Sequence, residues 1–165
     1  MKKTLSIITL FSSAVLSHAQ IYDANLDPFQ EVPPHNTPGY GSADFTLSGT
    51  TLNINANTGV YADLLAGAST VRLQDAAVGA NGPTIFTFNL DTPGNTSGTF
   101  SGSGTLTTGQ ITDLNNGSLY VNITDPVFPS GEIRGQIVVV PEPATMAMMG
   151  LVPLVGAFLF RRKKD

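Results

Sequence analysis

The stretch Leu119-Tyr120-Val121-Asn122-Ile123-Thr124 alternates Leu, Val and Ile with Tyr, Asn and Thr. Successive side chains of a β-strand point to opposite faces, so this period of two is typical of a strand with one buried and one solvated face. The same alternation occurs in four earlier stretches, namely Ala43–Leu47, Leu52–Ala56, Val71–Leu73 and Phe86–Leu90. The pattern therefore predicts several half-buried strands.

Turn-forming residues separate these stretches, at Thr58-Gly59, Asn81-Gly82-Pro83, Pro93-Gly94-Asn95, Asn116-Gly117 and Pro129-Ser130-Gly131. After the last turn, Ile133, Ile137 and Val139 lie on one parity and predict a closing strand that faces the core. A single helical turn is expected at residues 110–115. Short strands at a spacing of about ten residues indicate an all-β fold, which we predict to be an antiparallel β-sandwich.

The charge of this region excludes some partners. Between Asp23 and Glu132 the chain has ten Asp and Glu residues, while Arg72 and Arg134 are the only Lys or Arg, which gives a net charge of −8. Nucleic-acid binding requires cations that neutralise phosphates, so we expect no nucleic-acid partner. The chain has no cysteine, and the fold must therefore be stabilised by packing without disulfides.

The N-terminus has the pattern of a secretory signal peptide. Met1-Lys2-Lys3 is basic, residues 5–16 are mainly apolar, and Ser17-His18-Ala19 is a small-residue cleavage site. We predict a signal peptide over residues 1–19, removed by signal peptidase, and a single exported domain over residues 20–140.

The C-terminus combines Pro141-Glu142-Pro143, an uncharged stretch over residues 144–160, and the basic cluster Arg161-Arg162-Lys163-Lys164. The uncharged stretch is within the range of about 17–25 residues that spans a bilayer, and the basic cluster predicts a cytoplasmic C-terminus. In this order the three parts resemble a PEP-CTERM sorting tail, which we assign to residues 141–165. A permanent single-pass anchor is the alternative.

The resemblance to PEP-CTERM proteins implies a partner and a destination. An exosortase-type enzyme would process the tail after transient membrane anchoring through the C-terminal helix. The protein would then reach the cell surface or the extracellular matrix, where exopolysaccharide or envelope proteins are possible partners.

Three further motifs resemble the CHRD domain, named after chordin. They are Glu31-Val32-Pro33-Pro34, Gly79-Ala80-Asn81-Gly82-Pro83 and Gly131-Glu132-Ile133-Arg134-Gly135. The resemblance implies an immunoglobulin-like β-sandwich in which these residues have a structural role. Many members carry a His-x-His pair where this chain has Val71-Arg72-Leu73, and a further His where it has Ile123-Thr124-Asp125.

Because Val and Leu offer no metal donor, we predict no metal site and no cofactor. His35 is expected to be a solvated loop residue. We found no catalytic arrangement of residues, so the chain is predicted not to be an enzyme, with a hydrolase using dispersed acids as the alternative.

Glu132 and Arg134 lie two residues apart and therefore on one face of a strand. They could form an exposed recognition pair. We favour a structural role, in which Arg134 connects the last strand to the Glu31–Pro34 segment, because a charge-poor domain must pair any charge that it buries.

The predicted function is that of an exported surface or matrix protein with a structural or adhesive role in the envelope or biofilm. The alternative is a binding module for a neutral glycan or a partner protein. Its candidate exposed aromatic residues are Tyr22, Tyr40, Tyr61 and Tyr120.

Overall fold

The computed structural model describes residues 19–141. Its strands are β1 (Gln20–Leu26), β2 (Tyr40–Ser48), β3 (Thr51–Ile54), β4 (Val60–Ala62), β5 (Thr70–Asp75), β6 (Thr84–Leu90), β7 (Gly98–Ser101), β8 (Ser103–Thr105), β9 (Leu119–Thr124), β10 (Ile133–Gln136) and β11 (Val138–Val139). A 3₁₀ helix (Pro28–Gln30) follows β1, and helix α1 (Thr108–Asn115) precedes β9.

All strand pairs in this region are antiparallel. The predicted all-β, antiparallel class is therefore confirmed, while the immunoglobulin-like sandwich remains a prediction. Within residues 19–141, no helix is long and apolar enough to cross a membrane. The predicted membrane stretch (144–160) and residues 1–18 of the predicted signal peptide lie outside the described residues.

The strands follow the order β10-β9-β5-β6-β7-β4-β2-β1-β11, and β3 and β8 extend from β2. The path closes between β1 and β10, because Asp27, directly after β1, and Arg134 on β10 exchange backbone hydrogen bonds of 3.0 and 3.1 Å. The Asp27–Arg134 pair lies in the same antiparallel register as the Tyr22–Val139 pair between β1 and β11. The last two strands therefore share β1 as a neighbour: β11 pairs with β1, and β10 continues that pairing at Asp27. On its other side, β10 pairs with β9.

The core lies inside this closed path. Apolar side chains from opposite parts of the path meet there: the ring centroids of Phe45 on β2 and Phe88 on β6 are 6.1 Å apart. Ile133 and Ile137 are fully buried, as the sequence predicts. Val139 departs from the prediction with 38% of its surface exposed, since it belongs to β11 and pairs only with β1.

The alternation of apolar and polar residues in β9 predicts that Tyr120, Asn122 and Thr124 face solvent, which the structure does not show. All six residues from Leu119 to Thr124 are buried, so the prediction of a solvated face is wrong. Tyr120 lies beneath the Arg134 guanidinium, and Asn122 donates to the Ser130 carbonyl at 3.0 Å. Loops from elsewhere in the chain therefore cover this face, which is where the candidate site lies.

Helix α1 is the predicted helical turn, confirmed and extended to Thr108. Thr107 and Gln110 form a capping box, in which each side chain accepts a hydrogen bond from the backbone of the other residue. The helix ends at Asn115, Asn116 is its C-cap, and Gly117 follows with a φ of 70°. By contrast, Ala56 lies in a turn beyond β3 and does not continue that strand as predicted.

We expect Ile137→Asp to unfold the domain. The substitution places an unpaired carboxylate in the core, at a cost of about 4 kcal/mol or more. Val139→Asp is the matched control, because its side chain reaches solvent, and its effect should stay below about 1.5 kcal/mol. Urea unfolding followed by circular dichroism measures both values. Equal stability of the two variants would contradict the inward orientation of Ile137.

Candidate functional site

The three motif segments meet on the outer face of β9 and β10. Asn81 donates from Nδ2 to the Val32 carbonyl at 2.8 Å, which joins the middle segment to the opening one. Arg134 donates from Nη1 to the Ala80 carbonyl at 2.7 Å, which joins the closing segment to the middle one. Residues about fifty positions apart in the sequence thus form one cluster.

Arg134 is at the centre of this cluster and is only 1% exposed. Its guanidinium carbon lies 3.5 Å from the centroid of the Tyr120 ring, in cation–π geometry. Nη2 donates to the Ala77 carbonyl at 3.4 Å and to Gln136 Oε1 at 3.2 Å. Burial lowers the pKa of Arg134, and the neighbouring Tyr120 and Glu31 partly restore it.

The hydrogen bonds of Arg134 go to the loop over residues 77–80, and not to the Glu31–Pro34 segment as expected from the sequence. Arg134 interacts with the opening segment electrostatically, through the charge of Glu31. Its backbone pairs with Asp27, which precedes that segment. Because both Arg134 and Glu132 are buried, an exposed recognition pair is not formed.

Glu31 is buried beside Gly131. Its Oε1 and the Oδ1 of Asn122 both lie next to Gly131, and neither has a hydrogen-bond partner among the described residues. Burial raises the pKa of Glu31 to about 7, although the charge of Arg134 and the Val32 N–H lower it. A carboxyl group with this pKa is largely protonated in mildly acidic solution.

Close packing of the chain explains two motif glycines. A Cβ on Gly82 would overlap the Asp75 carbonyl, and a Cβ on Gly135 would lie 2.7 Å from the Asn25 carbonyl. The Gly82 N–H also donates to the Tyr120 hydroxyl at 3.0 Å. Any side chain at these positions would separate segments that the cluster holds together.

Glu132 and Asp125 form a second buried acidic group and bind the backbone of residues 65–66. Leu65 N–H donates to both carboxylate oxygens of Glu132, at 3.0 and 3.1 Å, and Ala66 N–H donates to Asp125 at 3.1 Å. Asp125 also accepts from the Phe128 N–H. The pKa of Glu132 is raised to about 7, mainly by burial and secondly by the adjoining Asp125 carboxyl. The hydrogen bond from the Leu65 N–H opposes this increase.

A cavity of about 360 Å³ opens over the first cluster. Phe29 and Val78 form its rim and are 68% and 79% exposed, while Glu31, Arg134 and Gln136 lie below. The polar groups of Gln136 are occupied, since Nε2 donates to the carbonyls of Ala76 and Gly117. The cavity thus offers apolar contact more readily than new hydrogen bonds.

The opening segment forms one wall of this cavity. Pro34 lines it, and the peptide bond between Val32 and Pro33 is cis. Pro83, in contrast, lies directly before β6, and its carbonyl accepts a hydrogen bond from the backbone N–H of Asp75 on β5. The structure therefore brings Glu31, Pro34 and Arg134 to the cavity, whereas Pro83 and Glu132 lie outside its lining.

The predicted set of exposed tyrosines is wrong for three of its four members. Tyr22, Tyr61 and Tyr120 are buried, and each hydroxyl is satisfied within the fold. Only Tyr40 is exposed. A tyrosine has an apolar ring as well as a hydroxyl, so alternation alone does not distinguish a buried from an exposed one.

His35 also differs from its prediction. It lies in a loop as expected, but it is half-buried and stacks on Phe128 with a centroid distance of 4.4 Å. Val71 and Leu73, which stand in place of the family's histidine pair, point into the core. Across residues 19–141, no group of three or more His, Cys, Asp or Glu side chains is arranged to hold a metal ion.

Comparison with known families agrees with this cluster of motifs. A model of the CHRD domain matches residues 22–137. The chain belongs to the CHRD family. A second model, the PEP-CTERM protein-sorting motif, matches residues 139–163, directly after the CHRD domain. No curated protein and no solved structure matches the chain.

The sorting motif assigns the CHRD domain a destination. It implies export, processing by an exosortase-type enzyme, and a place at the cell surface or outside the cell. Pro141 is exposed at the end of the described region, one residue after Val140 donates to the Ile21 carbonyl. Glu142, Pro143 and the basic cluster Arg161–Lys164 lie outside the described residues.

We expect Arg134→Ala to destabilise the CHRD domain by about 3–5 kcal/mol, because it leaves Glu31 and two loop carbonyls buried without their partner. Arg72→Ala, at the half-buried arginine of β5, is the control and should cost no more than about 1 kcal/mol. Thermal unfolding checks both. An unchanged midpoint for Arg134→Ala would overturn its structural role.

The stability of the CHRD domain should decrease as the pH rises from about 4.5 to about 7. The pKa values of Glu31 and Glu132 are raised to about 7 in the folded state, so that state binds protons more tightly than the unfolded chain. The protonated carboxyl groups contribute their full stabilisation below the ordinary pKa of 4.5, and this contribution is lost as the pH rises to the folded-state pKa of about 7. Melting temperatures measured across this range test the direction.

The double variant Glu31→Gln/Glu132→Gln is the control for this pH dependence. Neither glutamine titrates, so the profile of melting temperature against pH should become flatter over the same interval. A wild-type domain that became more stable as the pH rose would contradict the assignment.

Proposed function

We propose that the CHRD domain is a non-catalytic structural or adhesive module of the cell surface or extracellular matrix. The proposal includes removal of the signal peptide after Ala19, transient anchoring by residues 144–160, and exosortase processing near Pro141. It also includes an immunoglobulin-like β-sandwich as the exported unit.

One observation carries this proposal: the charged side chains of the family motifs are directed at other parts of the same chain. Arg134 binds loop carbonyls, and Glu132 binds the backbone of residues 65–66. A general acid, a general base or a nucleophile must instead reach a substrate. The motif residues are thus suited to holding loops in place.

Adhesion requires an exposed contact surface, and the cavity rimmed by Phe29 and Val78 supplies one. Large exposed apolar side chains around a cavity are typical of binding surfaces. Because Arg134 and Gln136 beneath the rim already form hydrogen bonds within the fold, this surface favours an apolar group of an envelope protein.

The experiment compares cells of an exosortase-containing host that lack the gene with cells that produce the full chain or its variants. The double variant Phe29→Ser/Val78→Ser removes the apolar rim, and Val127→Ser removes another exposed apolar side chain outside it. We measure the share of protein retained in the matrix, its intact mass, and the shear force that disperses the biofilm.

We expect wild-type protein and Val127→Ser to be retained in the matrix with a processed tail, and the double variant to be released into the medium. Equal retention of the double variant would exclude the rim as the contact surface. A wild-type protein that remained in the inner membrane with its tail intact would exclude the extracellular role.

A further inference from the structure

A second cavity, of about 250 Å³, lies away from the motif cluster. It is formed where the turn between β3 and β4 meets the ends of β6 and β7. Its polar lining consists of Asn55, Asn57, Asp91, Thr99 and Ser101, and the partly buried Ile54 adds an apolar side chain. Phe100 also lines the cavity, but its ring is buried in the core. A lining made mainly of amide, hydroxyl and carboxylate groups differs from that of the first cavity, whose exposed rim is apolar.

The carboxylate of Asp91 is held in a defined position. Thr99 donates its hydroxyl to Oδ2 at 2.7 Å, and Ser101 donates its hydroxyl to Oδ1 at 3.0 Å. An ionised carboxylate accepts about four hydrogen bonds, so each oxygen keeps capacity for one more donor. Asp91, Thr99 and Ser101 are all exposed, and this capacity is directed at solvent.

Asn57 adds a strained backbone to this cavity. Its φ is 63°, in the left-handed region that side chains other than glycine rarely adopt. Asparagine tolerates this conformation in turns better than most residues, and the turn holds Asn57 at the edge of the cavity. Asn55 is positioned by another contact, because its Oδ1 accepts from the Thr46 hydroxyl at 2.6 Å.

We propose that this cavity binds a neutral saccharide unit, with adjacent sugar hydroxyls donating to Asp91 and the amide of Asn57 bonding a further hydroxyl. Two hydroxyls on neighbouring ring carbons match the two oxygens of one carboxylate. The apolar face of a sugar ring can pack against the partly buried side chain of Ile54. The site is separate from the rim of Phe29 and Val78 and does not depend on the adhesive role proposed above.

Charge selects a neutral saccharide over an anionic one. Asp91 is the only charged residue in the lining, and the surrounding domain has a net charge of −8 from ten acids and two arginines. A uronic acid or a sulfated sugar would meet repulsion without a compensating cation. A calcium site would require about six to eight oxygen ligands, more than one carboxylate and nearby amides readily supply.

The test uses the full ¹⁵N-labelled chain in a detergent without a sugar headgroup. Neutral oligosaccharides of glucose, galactose and mannose are titrated while backbone amide shifts are recorded, with oligogalacturonate as the anionic comparison. We expect at least one neutral oligosaccharide to cause saturable shifts at residues 55–59, 91 and 99–101, with a dissociation constant in the millimolar range. Oligogalacturonate should cause none.

Two variants distinguish binding from a structural effect. Asp91→Ala should weaken binding about tenfold or more, since it removes the acceptor of two hydroxyls, whereas Asp113→Ala removes an acid on helix α1 and should leave affinity unchanged. Asn57→Gly should weaken binding while maintaining or raising the melting temperature, because glycine adopts this φ without strain.

The proposal is overturned if no neutral oligosaccharide in the panel shifts these amides, or if Asp91→Ala and Asn57→Gly bind as the wild type does. Loss of the shifts on adding EDTA would also overturn it, since the site would then depend on a metal ion.

Discussion

The burial of one positive charge organises the outer face of this domain. Arg134 lies on a strand with neighbours on both sides, so its side chain cannot leave the face on which it points. Burying a guanidinium is costly unless its donors are hydrogen-bonded. The Tyr120 ring and the carbonyls of Ala77 and Ala80 meet that requirement, and they can do so only when the loop before β6 lies over β9.

The buried acids extend the same constraint to the other loops. Glu31 lies beside Arg134 and Gly131, and Glu132 with Asp125 binds the backbone of residues 65–66. Backbone N–H groups buried beneath loops need acceptors, and these carboxyls supply them. The family motifs thus describe a set of mutually dependent loop contacts, while the cavity lined by Asp91 and Asn57 is built from residues outside those motifs.

Alternation located the strands well, because burial of one face is a local property that the sequence records every second residue. It failed for β9, whose outer residues Tyr120, Asn122 and Thr124 are polar or amphipathic and yet buried. Their partners, Arg134, Ser130 and Thr70, lie elsewhere in the chain. Three of the four tyrosines were misassigned for the same reason, since the partners of their hydroxyls are distant in sequence.

The sequence by itself determined the all-β class, the positions of most strands, helix α1 and the sorting motif, because each depends on a short local pattern. It also identified the motif residues, through the resemblance to the CHRD family, but not that the three motifs form one cluster. Only the tertiary structure decided that Glu132 and Arg134 are buried, that the path closes through Asp27 and Arg134, and that Asp91 and Asn57 line one cavity. These features depend on contacts between distant segments, which a period of two residues does not encode.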